Sequence, residues 1–131
     1  MKAQCLCKAV TIETADNQEL HACHCNHCRK WGGSAGFTVM VQGIKTNDTD
    51  HISTYQSAEW GERAFCKTCG SHLYFHQFGT DNYYVSAGLF DDVDFKLQSQ
   101  IFIDKKAGYY ELANDTPKLT EAEFIAMVTG E

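Results

Sequence analysis

Phe65-Cys66-Lys67-Thr68-Cys69-Gly70 carries two cysteines three positions apart, with a glycine directly after the second. That spacing is half of a zinc knuckle. Two thiolates flank a tight turn, and glycine stands where a positive φ is often required. The residues that follow, Ser71-His72-Leu73-Tyr74-Phe75, resume a strand rich in aromatic and branched side chains. A half-site needs another half. Two further clusters lie upstream: Cys5-Leu6-Cys7 and Cys23-His24-Cys25-Asn26-His27-Cys28.

In an extended backbone residues i and i+2 point to the same side. Cys5 and Cys7 therefore share a side and Leu6 faces the other way. Cys23 and Cys25 do the same, and the two residues before Cys28 allow a tight turn that returns the third sulfur. The chain holds seven cysteines. A disulfide framework would leave one over, and seven thiols in three tight groups do not look like apolar packing. Metal binding is the better reading. Structural zinc takes four protein ligands, and catalytic zinc takes three and keeps one position open. Seven divides as four plus three. Pairing the first cluster with the third would clip the N-terminal stretch to the middle of the chain and close a long loop. Spacing alone also permits a site built from the first and second clusters.

Outside these clusters the periodicity is mostly that of short strands. Val10 and Ile12 alternate with polar neighbours, as do Phe37, Val39 and Val41, and Tyr83-Tyr84-Val85 is another short run. Leu97, Ser99, Ile101 and Ile103 alternate on one expected face. Turns are expected at Asp16-Asn17, Thr46-Asn47-Asp48, Gly79-Thr80-Asp81-Asn82 and Lys105-Lys106-Ala107-Gly108. The pattern predicts a mainly β, antiparallel assembly. One helix is signalled near residue 120. Thr120 and Glu123 make a capping box, and Leu119 and Phe124 a hydrophobic staple. Phe124, Ile125 and Val128 share a face, and Gly130 ends the helix. A length of 131 residues, 44% of them apolar, predicts one globular domain over residues 1–131.

The formal net charge of -6, with no basic stripe, argues against nucleic acid as a partner. No stretch has the length and apolarity of a membrane span, and the first residues lack the apolar core of a signal peptide. A cytoplasmic setting, where thiols stay reduced, is expected. The Trp31 to Gly36 loop lacks the Gly-Lys-Ser/Thr ending of a phosphate-binding loop. The His-x-Glu and Pro-Cys-x-x-Cys motifs of zinc nucleobase deaminases are absent. His24 is expected to point away from the sulfurs and to pack or hydrogen-bond. His27 is the better candidate for a fourth ligand or proton carrier. Arg29 and Lys30 flank the three-cysteine loop, where they can attract a carboxylate.

The order C-x-C, C-H-C-x-x-C-R, F-C-x-x-C-G-x-x-L resembles the glutathione-dependent formaldehyde-activating enzyme family, which also includes centromere protein V. The matching residues are Cys5 and Cys7; Cys23, His24, Cys25, Cys28 and Arg29; and Phe65, Cys66, Cys69, Gly70 and Leu73. The resemblance implies a β-tent of antiparallel sheets. It implies a structural zinc on Cys5, Cys7, Cys66 and Cys69, and a second, more weakly held zinc on Cys23, Cys25 and Cys28. It implies a carbon-sulfur lyase that acts on a small thiol such as glutathione and an aldehyde such as formaldehyde. The non-catalytic alternative is a zinc domain that binds a partner or buffers metal. One departure is Lys8, where the family usually has glycine after the first pair.

Overall fold

The computed structural model describes residues 1–47 and 50–130; Asp48, from one of the expected turns, lies outside them. The chain is mainly β, with its strands in two sheets. In chain order the strands are β1 (Lys2–Gln4), β2 (Thr11–Glu13), β3 (Glu19–Cys23), β4 (Gly36–Gln42), β5 (Lys45–Thr46), β6 (Ile52–Ala58), β7 (Gly61–Cys66), β8 (His72–Gln77), β9 (Asn82–Ser86), β10 (Lys96–Ile101) and β11 (Lys118–Leu119). The helices are α1 (Asn26–Gly32) and α2 (Glu121–Thr129). The chain resolves into two compact units, one of residues 1–18 and 38–95, the other of residues 19–37 and 96–131.

The first unit holds the three-stranded sheet β1-β2-β5 and the run β4-β9-β8-β7-β6, with antiparallel pairing throughout. The alternation read from sequence is visible in burial. Val10, Ile12, Val39, Val41, Leu73 and Val85 are all buried, and they join Ala3, Ala64 and Phe90 in one core cluster. Cys5 and Cys66 belong to the same cluster, so the core itself fixes two of the sulfurs. Gly61, the first residue of β7, lies where an added Cβ would meet the Phe75 ring and stand 2.8 Å from the His76 carbonyl oxygen. Glycine is what lets β7 run this close to β8 at that end.

The second unit departs from the antiparallel expectation. Strand β10 lies between β3 and β11 and is parallel to both. A register shift between Leu97 and Ser99 breaks the alternation expected there. The fully buried residue of β10 is consequently Gln100, while Leu97, Ser99 and Ile101 are each half-covered. The strand also stops short of Ile103, because Phe102 takes a positive φ of 55° and starts a 3-10 turn over Ile103–Lys105.

Helix α2 follows its sequence signals closely. The Glu123 amide donates to Thr120 Oγ1 at 3.1 Å, and the Thr120 amide donates to Glu123 Oε1 at 3.0 Å. Gly130 takes the left-handed conformation, and its amide bonds the Ala126 carbonyl. The apolar face is narrower than expected. Phe124 meets the Phe102 ring at 5.7 Å between centroids, but Ile125 and Val128 stay exposed. Among the described residues, no helix is long and apolar enough to cross a membrane.

Candidate metal centre

Two hairpin-like turns build the first group of sulfurs. After β1, the Lys8 amide donates to the Cys5 carbonyl at 3.0 Å and the Cys5 amide to the Val10 carbonyl at 3.1 Å. After β7, the Gly70 amide donates to the Cys66 carbonyl at 2.8 Å and the Cys66 amide to the Ser71 carbonyl at 2.9 Å. Both turns carry a positive φ at the matching place, 76° at Gly70 and 70° at Lys8. Lysine there adopts a conformation that glycine takes without steric cost. The turns are tied by the Leu6 amide, which donates to Ser71 Oγ at 3.1 Å.

The result places Sγ of Cys5, Cys7, Cys66 and Cys69 all within 4.8 Å of one another. Cys5 and Cys7 sulfurs are 3.6 Å apart, and Cys7 and Cys66 sulfurs 3.7 Å. None of the seven cysteines is in a disulfide. Cys5 and Cys66 are 3% and 0% exposed, while Cys7 is exposed and Cys69 half-buried, so the group runs from the core to the surface. Its sulfurs are electrostatically unequal. The Cys69 amide lowers the Cys66 thiol. The Ser71 hydroxyl and amide bring Cys69 down to about 5. The Ala9 amide pulls Cys7 down as well, but burial and bonds with the Cys69, Cys5 and Cys66 sulfurs carry it up to about 12.

The second group comes from one short stretch. Cys23 ends β3, which is held by pairing with Ile101 of β10. The chain then turns into α1, a helix that the sequence reading treated as a simple turn. Cys25 is its N-cap, and its Sγ accepts the Cys28 amide at 3.3 Å. A thiolate here does the work that a serine or aspartate oxygen usually does. Gly33 closes the helix at a φ of 91°. Cys23, Cys25 and Cys28 sulfurs again lie within 4.8 Å of one another, and no fourth Cys, His, Asp or Glu among the described residues joins them. All three are half-buried. Hydrogen bonds from the Cys23 and Cys28 thiols hold Cys25 down to about 2, while the same bonding raises Cys23. Gly36 presses on this group from the start of β4: a Cβ there would stand 3.3 Å from both Cβ and Sγ of Cys28.

The structure thus brings the first cysteine cluster to the third and leaves the second by itself. Each group could hold one metal ion. His27 is exposed on α1 and is not part of the sulfur group. Arg29 is half-buried and Lys30 exposed, both in the last turn of α1. His24 is buried, as its alternation with the cysteines implied. Its Nε2 donates to Gln100 Oε1 at 2.9 Å, and its Nδ1 shares a 2.5 Å hydrogen bond with the Tyr110 hydroxyl. Gln100 in turn donates to Thr116 Oγ1 at 3.2 Å. Gln100 and Tyr110 are the supporting residues that sequence reasoning missed, since no local pattern links positions 76 and 86 residues apart.

A family model described as glutathione-dependent formaldehyde-activating enzyme matches residues 1–105. The chain belongs to this family. An uncharacterized lyase of Schizosaccharomyces pombe is 31% identical over 131 residues, covering 97% of this chain and 96% of the relative. A putative glutathione-dependent formaldehyde-activating enzyme of Halomonas elongata is 28% identical over 85 residues, covering 56% of this chain and 54% of the relative. A crystal structure of a Rhodobacter sphaeroides protein superposes with a TM-score of 0.59 at 23% identity, over 71% of this chain and 90% of that one, which extends the likeness to the fold. The matched segment contains both cysteine groups of this chain. Tyr110 and α2 lie beyond it.

Proposed function

We propose that the chain is a zinc-dependent carbon-sulfur lyase of glutathione-linked formaldehyde chemistry. The observation that carries this reading is the contrast between the two groups: one gathers four sulfurs, and the other gathers three that no fourth Cys, His, Asp or Glu among the described residues joins. The family and the names of its relatives support the substrate class.

Zinc fits the donor sets. Four thiolates about 2.3 Å from one ion form a tetrahedron with edges of about 3.8 Å. The sulfur separations of 3.6 and 3.7 Å in the first group match that edge. Soft thiolate donors in a tetrahedral arrangement favour zinc among common divalent ions. Four ligands suit a structural ion, and three suit an ion at which a substrate binds.

When bound in the second group, zinc supplies a soft Lewis acid that favours the thiolate form of a thiol taking its remaining position. The reaction itself conserves electrons. The thiol sulfur bonds to the aldehyde carbon, the carbonyl π pair moves to oxygen, and oxygen takes up the proton that sulfur lost. The lyase direction reverses each step. The chain's residues hold the participants. Cys23, Cys25 and Cys28 fix three corners, and the Cys28 amide orients the Cys25 sulfur. Through its bond to Gln100, His24 fixes the loop between Cys23 and Cys25. Arg29 and Lys30 offer cationic groups to the carboxylates that a glutathione-like thiol carries.

The test is direct. Zinc-loaded protein is mixed with glutathione and formaldehyde, and S-hydroxymethylglutathione is followed by proton NMR. The expected outcome is formation faster than the uncatalysed rate, lost in Cys25→Ala while the protein keeps one zinc and its fold. An unchanged rate in Cys25→Ala, or no thiol affinity in the loaded protein, would favour a non-catalytic zinc domain.

A further inference from the structure

Among the described residues, one sheet edge is unlike the rest. Strand β1 is three residues long and begins with Lys2, while β5 and β11 are two residues each and begin with Lys45 and Lys118. Short strands and edge lysines keep open backbone groups from pairing with another chain. Strand β6, last in the run β4-β9-β8-β7-β6, has neither device. Its seven residues, Ile-Ser-Thr-Tyr-Gln-Ser-Ala, hold no charge and no proline. The register shift between Tyr55 and Ala58 leaves Ile52 to Tyr55 as a regular ladder. The Lys67 amide donates to the His51 carbonyl at 2.8 Å, one position beyond the Ile52–Cys66 pair. Ladder bonds alternate along an antiparallel strand. His51, Ser53 and Tyr55 therefore turn their backbone groups to β7, and Ile52 and Thr54 turn theirs to the open edge. Tyr55 is 60% exposed beside that edge.

We propose that β6 pairs antiparallel with the β6 of a second copy, joining two sheets into a twofold dimer. A strand laid antiparallel on its own copy offers the same donors and acceptors from both sides, so the pairing is self-complementary and closes at two chains. Charge favours this place for a second copy. The chain carries a net charge of -6, so two copies repel over most of their surfaces. An uncharged edge lets them meet with no carboxylate in the pairing strand itself. The flanks choose the register. An axis through Tyr55 sets Thr54 against the partner's Gln56 and the two Tyr55 rings against each other. It also brings His51 of each copy toward the partner's Glu59, a base facing an acid. An axis through Thr54 would instead bring Asp50 alongside the partner's Glu59, two acids together. Because Tyr55 bonds toward β7, its contact with its mate is a non-hydrogen-bonded pair. Cα atoms there stand about 4.5 Å apart and aromatic side chains pack closely. The pairing does not depend on the lyase reading.

Sedimentation velocity on the full chain, over a dilution series at physiological salt, reads the assembly. A concentration-dependent dimer is expected, with no larger species. Thr54→Pro removes an outward amide without touching a bond to β7 and should shift the chain to monomer. Tyr55→Lys and Tyr55→Glu should each be monomeric alone, because like charges then stand directly opposite. Mixed in equal amounts, they should return a dimer holding one of each, read by native mass spectrometry. A variant that had merely failed to fold could not recover in this way, and thermal melts by circular dichroism check the fold of each. A wild-type chain that stays monomeric throughout the series, a dimer untouched by Thr54→Pro, or a mixture that stays monomeric would overturn the proposal. Growth into larger assemblies would overturn it as well, since a twofold pair uses up the β6 edge of both chains.

Discussion

Truncating His24 to alanine is expected to cost about 2–5 kcal/mol of folding stability. The side chain is 1% exposed, and so is its partner Gln100. Removing the ring strips Gln100 Oε1 of its donor at 2.9 Å, and an orphaned buried acceptor costs about 1–3 kcal/mol. The space left by the ring adds about 1–2 kcal/mol, because buried sites relax only in part. The Tyr110 hydroxyl, on a half-buried residue, recovers its lost bond from water and adds little. With an unfolding entropy of roughly 0.28 kcal/mol/K for a chain of this length, Tm should fall by about 7–18 °C. Thermal melts followed by circular dichroism, with zinc content measured before and after, read this directly. A second change separates the two terms. Gln100→Leu in the His24→Ala background removes the orphaned oxygen and should restore about 1–2 kcal/mol. A loss below about 1 kcal/mol in the single variant, or no recovery in the double, would refute the view that this buried polar pair holds the loop between Cys23 and Cys25.

Lys8→Gly should raise stability by up to about 1 kcal/mol in chemical denaturation, because a non-glycine residue in the left-handed region costs about 1–2 kcal/mol and glycine returns part of that as chain entropy; a loss would mean that the Lys8 side chain contributes more than its backbone strain. Gly36→Val should lower the affinity of the second metal about tenfold by displacing Cys28, leaving the first unchanged, as read by competition with a chelator. Burial, with help from the Tyr83 and Glu62 charges, carries Tyr74 to about 12. The folded state therefore keeps a proton that the unfolded chain releases near pH 10. Tyr74 supports the fold below that pH, and its contribution drains away between pH 10 and about 12. Denaturation midpoints across that window should fall less steeply in Tyr74→Phe.

Much of the sulfur grouping was legible because cysteine spacing is local. Cys5-x-Cys7 and Cys66-x-x-Cys69 announce their turns within a few residues, and the Thr120–Glu123 box announces α2 in the same way. Helix α1 was not legible. Its N-cap is a cysteine, outside the usual Ser, Thr, Asp and Asn signal, and seven residues give no amphipathic period. The pair Arg29-Lys30 followed by Gly33 was its only marker, at the C-terminal end. Strand β6 was missed because its hairpin to β7 turns through Glu59-Trp60, without the Asn-Gly or Asp-Gly usually found there. The parallel pairing of β10 is set by partners far along the chain, and no local pattern encodes strand direction. The buried Gln100 reads as a surface residue until His24 is placed beside it.

The central claim is a division of seven sulfurs into four and three. X-ray absorption on protein loaded to two zincs per chain counts the sulfurs around the metal. Groups of four and three give an average of about 3.5 sulfurs per zinc, rising to 4 in Cys25→Ala, which keeps only the enclosed ion. A single zinc at full loading, or a second zinc without sulfur neighbours, would contradict the account.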